Sequence, residues 1–159
     1  MRAFENSDGG FSAEFEPAEA TMLITLAGQI TELVEARNAH DGDPAILRLL
    51  PDAYPDDAEK SAEFRRFTVD DLASRKVANA REMAEALVSA TEATRPTRVH
   101  IDEQAAQAWI RSLTDIRLTI ASRLGIERDG DEPTDDPDLL NLYDWLGFVQ
   151  GSLIDVLDD

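Results

Sequence analysis

Glu19, Lys76, Asn79 and Arg117 are the residues of this 159-residue sequence whose types and positions could do chemistry. Each falls on or beside a stretch whose spacing predicts an inward helical face. An unpaired guanidinium or ammonium is costly to bury, so Arg117 and Lys76 each demand a carboxylate, a carbonyl or an anion. Lysine has one further escape, a bent stem that carries its charge out to water. Two arrangements satisfy the demand. The first is a buried ion-pair network that fixes helix register, and it is the default, because such pairs are weak indicators of function. The second is a pocket in which Arg117 and Lys76 hold a small anion or a peptide carboxylate.

The rest of the chain offers little that resembles a catalytic set. The sequence has no Walker loop, dinucleotide fingerprint, zinc spacing or Gly-x-Ser-x-Gly elbow. His40 and His100 are the two histidines, and they lie far apart in sequence, in a loop and a predicted strand. With no cysteine, the chain carries no disulfide, thiolate metal site or thiol redox switch. The acidic run 127–138, ERDGDEPTDDPD, has carboxylates enough for calcium but not the EF-hand spacing. No catalytic, cofactor or metal residue is therefore assigned.

The elements that must position these groups follow from periodicity. The clearest is the stretch from Asp102 to Gly125. Asp102 is a good N-cap, Glu103 suits the positive end of the dipole, and Gly125 can close the far end. Ala106, Trp109, Leu113, Ile116, Ile120 and Leu124 share one face, with Arg117 inside that stripe. Leu118 falls on the opposite side, beside Arg111 and Asp115, which hints that the helix is covered on more than one face.

Asp8-Gly9 and Gly9-Gly10 predict a hairpin turn between residues 2–6 and 11–16. Pro17 then opens a helix to about Asn38, with Leu23, Leu26, Ile30 and Leu33 inward and Glu19 at the edge of the stripe. Residues 44–50 make a short helix, 51–57 a turn anchored by Tyr54, and 58–67 a second short helix closed onto the core by Phe64 and Phe67. Thr68 is expected to cap a long helix to about Ala93, whose inner face includes Val69, Ala73, Ala80, Met83 and Leu87, with Lys76 in its middle. Pro96 stops it, and 98–101 can add a strand to the hairpin. The last helix spans about 137–157, with Leu139, Leu142, Leu146, Val149, Leu153 and Val156 inward. Gly147 and Gly151 lie one turn apart on another side, near Leu140 and Ile154. Glycine is unfavourable inside a helix but lets a second backbone approach closely. Phe148 points away from the main stripe. Leu118, Leu140, Gly147, Phe148 and Gly151 are accordingly the candidate interface.

Length and a 43% hydrophobic content suit one domain with a real core. The expectation is a mainly α fold over 1–159: a hairpin at 1–16, then a helical bundle over 17–157 with an acidic loop at 127–136. There is no apolar run long enough to span a bilayer and no signal-peptide core, so a cytoplasmic location is expected. The net charge of -18 repels nucleic-acid phosphates and anionic membranes. Direct DNA binding has one possible seat, the basic helices at 65–98 with Arg65, Arg66, Arg75, Lys76, Arg81, Arg95 and Arg98. No helix-turn-helix spacing supports it, and acidic groups dilute it.

Several phrases together carry a resemblance: LLPDAYPDD, EFRRFTVDDL, KVANAR, AWIRSLTDIRLTIASRLGI and YDWLGFVQGSL. They resemble an actinobacterial domain-of-unknown-function family, encoded beside the Clp protease adaptor and named for an actinomycete oxidative stress transcriptional regulator. The resemblance spans nearly the whole chain, from DGGFSAEFEPAEA to the C-terminal helix. It implies a non-enzymatic regulator acting through protein contacts with the transcription machinery. A second copy of the chain is the other partner considered, on the ground that the Gly147 and Gly151 face could admit a helix of the same chain or of another subunit. Any redox sensing that the family name suggests cannot run here through a thiol. The two alternatives are DNA binding through 65–98 and anion binding by Arg117 and Lys76.

Overall fold

The computed structural model describes residues 1–39, 42–51 and 62–159. It is mainly helical, with five helices and a small three-stranded antiparallel sheet among those residues. Strands β1 (Glu5–Ser7) and β2 (Gly10–Phe15) form the expected hairpin. Ser7 pairs with Gly10 across a two-residue turn in which Gly9 takes a φ of 77°, the conformation glycine adopts without steric cost. Strand β3 (Thr97–Ile101) adds to the other edge of β2. A Cβ on Gly10 would lie 2.2 Å from the Ile101 carbonyl oxygen, so only glycine lets β3 close on the turn.

Helix α1 (Pro17–Glu35) starts on a proline, and its N3 residue Glu19 reaches back to accept from the Glu16 amide at 2.8 Å. Helix α2 (Pro44–Leu49) is capped by Asp43, which accepts from the Ala45 amide. Helix α4 (Glu103–Leu124) has the predicted ends: Asp102 accepts from the Ala105 amide at 2.7 Å, and Gly125 closes the helix at φ 75°. Helix α5 (Pro137–Asp158) is capped by Asp136. The acidic stretch before it is tied down at both ends. Thr134 donates from both its amide and its hydroxyl to the Leu124 carbonyl, at 2.7 and 3.0 Å. Asp131 curls back to accept from the Glu127 and Arg128 amides.

Two expectations about the middle of the chain need correction. Helix α3 (Ala62–Thr91) is continuous through residue 68. Thr68 does not cap a helix; its hydroxyl donates to the Phe64 carbonyl one turn back, the other bond a helical threonine can make. Phe64 and Phe67 do not close onto the core, with 56% and 73% of their surface exposed. The expected helix start at 58–61 and the anchor Tyr54 lie outside the described residues, as does His40.

The core forms where the sheet meets the helices. Trp109 is fully buried, with the rings of Phe4 and Phe15 at 5.7 and 5.9 Å. Helix α1 packs chiefly on α3, and α4 runs through the middle, touching α1, α2, α3, α5 and the sheet. Helix α4 is therefore covered on several sides, although Leu118 itself stays 36% exposed.

Candidate functional site

The four polar residues marked by the sequence do not form one network; Lys76, Arg117 and Glu19 each find a separate partner. Lys76, inward on α3, donates to Asp115 of α4 at 2.6 Å. Asp115 is a buried residue, and its other oxygen has no hydrogen-bond partner among the described residues. Burial pushes the Asp115 carboxyl above the usual carboxylate range, and the hydrogen bond and charge of Lys76 only partly oppose this. Sequence reasoning placed Asp115 on the outer, polar side of α4. The signal that would have corrected it is a second stripe: Ala108, Ser112 and Asp115 recur at steps of four and three, and all three are buried. That stripe is the seam with α3.

Arg117 meets no carboxylate among the described residues. Its guanidinium lies 4.6 Å from the centre of the Tyr143 ring, and one terminal nitrogen donates to Gln150 at 3.1 Å. Gln150 spends its amide on α4 as well, donating to the Ile110 carbonyl and the Thr114 hydroxyl. Arg117 thus ties α4 to α5 by stacking and by a neutral hydrogen bond. Glu19 pairs with the amino group of Met1 at 2.7 Å, far from either cation's partner in sequence. Asn79 is half-buried on α3, one turn from Lys76.

The two glycines of α5 have different roles. A Cβ on Gly147 would sit 3.2 Å from the Arg117 guanidinium, so this glycine makes room for the arginine and not for another helix. A Cβ on Gly151 would meet nothing within 4 Å. Gly151→Ala is therefore expected to stabilise the chain by about 1 kcal/mol through helix propensity alone, measured by chemical denaturation. Gly147→Ala should gain little or nothing, because the propensity gain is offset by displacement of Arg117. Phe148 is 46% exposed, and Leu118 and Leu140 are exposed and half-buried respectively.

A more developed feature was not legible in the sequence. Residues of α1 and α4, with Leu139 and Leu142 from the first turns of α5, line a groove of about 530 Å³. Its floor is apolar and buried, with Leu26, Ile30 and Leu33 facing Ile116 and Ile120. Met22, 43% exposed, stands at its mouth. Glu32 and Gln29 rim the α1 side; Thr119 and Arg123 rim the α4 side, where Arg123 makes a two-pronged contact with Asp43 at 3.0 and 3.1 Å. Neither Lys76 nor Arg117 lines it. Among the described residues, no group of three or more histidine, aspartate or glutamate side chains is placed to hold a metal ion. None of the helices among the described residues is long and apolar enough to cross a membrane.

Comparison with known proteins places the chain in one family. The chain matches the domain of unknown function DUF2017 over residues 1–157, and it belongs to that family. The "Oxidative stress regulator AosR" of Mycobacterium tuberculosis (strain ATCC 25618 / H37Rv) is 29% identical over 96% of this chain and 85% of its own length. The protein of that name from Mycobacterium bovis (strain ATCC BAA-935 / AF2122/97) matches equally. A relative from Mycobacterium leprae (strain TN) is 32% identical over 91% of this chain and 81% of its own. No solved structure matches the chain.

Proposed function

We propose that this DUF2017 member is a non-enzymatic regulatory protein of the oxidative-stress response that works by contacting another protein, with the transcription machinery as the partner class. The observation that carries the reading is the relationship to proteins named as oxidative stress regulators, which runs over nearly the whole chain rather than one segment. The chemistry of the polar residues agrees with it. Lys76 and Arg117 are engaged in joining helices, through Asp115 and through Gln150 and Tyr143, and this is the role of structural cations rather than of a shared anion pocket. Direct DNA binding is also disfavoured by charge. Arg75, Lys76 and Arg98 of the basic stretch are already matched by Asp71, Asp115 and Glu5, and the surrounding chain is strongly acidic.

The test is affinity capture with the immobilised chain, run beside a DNA mobility-shift assay at about 50 mM salt, where charge-driven binding is strongest. The expected result is reproducible capture of a component of the transcription machinery and no shift of DNA. A DNA shift lost on replacing Arg65 and Arg66, with no protein captured, would overturn the reading.

A further inference from the structure

We propose that the groove between α1, α4 and the start of α5 is the docking site for a basic amphipathic helix of the protein partner. The proposal rests on the regulatory reading and gives it a surface and a partner chemistry. Three features of the groove carry it.

The first is shape. Met22 and Leu33 lie eleven residues apart along α1 and both line the groove, which at the helical rise makes it roughly 16 Å long, about three turns of a second helix. A helix laid there would place its apolar stripe between two existing helices, the arrangement by which grooves read residues at i, i+3 and i+7.

The second is the polarity of the walls. The floor is aliphatic and already buried from bulk water, and the rims are polar. Met22 at the mouth has a flexible, polarizable side chain that can mould to a partner's apolar residues.

The third is charge, which selects the partner. Of the three glutamates of α1, Glu32 lines the groove, and the helix has no basic residue. The segment 127–138 joins the α4 and α5 sides of the groove, starting four residues after Arg123 and ending next to Leu139; it carries seven acidic groups and one arginine. Arg123, the one cation on the rim among the described residues, has its charge matched by Asp43. A docked helix with leucines on one face and lysines flanking them would bury the first on the floor and extend the second to Glu32 and the acidic segment. An acidic or neutral helix would gain only the first.

The probe is a fluorescein-labelled 14-residue leucine–lysine amphipathic peptide, titrated into the full chain by fluorescence anisotropy, with a leucine–glutamate peptide of the same pattern as control. Amide chemical shifts then map the site. The expected result is binding of the lysine peptide alone, with shifts at Thr25, Gln29, Thr119 and Leu142. Gln29→Lys/Glu32→Lys, on the exposed rim, should weaken binding at least tenfold. The charge-matched Glu85→Lys/Gln107→Lys, placed elsewhere, should weaken it less than threefold. No binding, equal loss in both variants, or shifts centred on Leu118 and Phe148 would each overturn the proposal. The regulatory reading fails separately: capture of a partner that survives Gln29→Lys/Glu32→Lys leaves that reading standing and removes only the groove.

Discussion

Lys76→Met is expected to cost about 3–5 kcal/mol at neutral pH, because it leaves the buried Asp115 carboxylate without its counter-charge. The cost should depend on pH with a definite sign. In the native chain Asp115 already titrates above its ordinary range, so the folded state holds its proton more tightly than the unfolded state does. For such a group, stability is greatest below the ordinary carboxyl pKa and falls as pH rises through the raised one. Without Lys76 the folded pKa rises further, and the fall extends to higher pH. The deficit of Lys76→Met relative to the native chain is therefore expected to be larger at about pH 8 than at about pH 5.5, a comparison in which titration of the other carboxylates cancels. The double substitution Lys76→Met/Asp115→Leu removes both charges and should recover most or all of the lost stability, since apolar replacements of buried pairs are often neutral or stabilising by about 1–4 kcal/mol. Denaturant unfolding of the native chain, the single and the double variant checks this. If the single variant loses less than about 1 kcal/mol, the pair behaves as an exposed one and the seam assigned to α3 and α4 is wrong.

Trp109→Ala should be comparably damaging, at about 3–5 kcal/mol. The indole is fully buried, and it is the side chain on which Phe4 before the sheet and Phe15 within it converge. Its loss opens a cavity under the hairpin, and two T-shaped or tilted ring pairs go with it. The indole nitrogen has no hydrogen-bond partner among the described residues, so Trp109→Phe gives up packing volume but none of the hydrogen bonds they could supply, and it should cost clearly less. Thermal unfolding by circular dichroism separates the two substitutions. A further expectation is that Trp109→Ala disturbs the amide signals of β1 and β2 before those of α5, because the sheet rests on that ring.

The contrast between these positions explains what could be read in the sequence. Trp109 announced itself: it sits in an apolar stripe bounded by Asp102 and Gly125, and the caps and the stripe were both confirmed. The hairpin followed from Asp8-Gly9, and β3 from the residues after Pro96. Asp115 was missed because a stripe defines one face, whereas α4 packs on several. Its inward side toward α3 is built from alanine, serine and aspartate, which do not register as hydrophobic. The unplaced charge of Lys76 was the available clue that an acid had to face it. Thr68 misled for a related reason: the same hydroxyl can cap a helix or bond back within one, and local sequence does not choose between them. Gly147 was read as room for a second helix backbone, from within the chain or from another subunit, because a missing side chain looks the same whether a backbone or an arginine fills the space. The groove had no sequence signature at all. It is lined by two helices, each of which displays an ordinary apolar face.

Site-specific photo-crosslinking in host cells tests the central claim most directly. A photoreactive amino acid at Gln29, on the groove rim, is predicted to form a covalent adduct with a protein partner, and Glu32→Lys should diminish that adduct. The same probe at Gln107 should give none. Adducts from Phe148 or Gln107 with none from Gln29 would contradict the account.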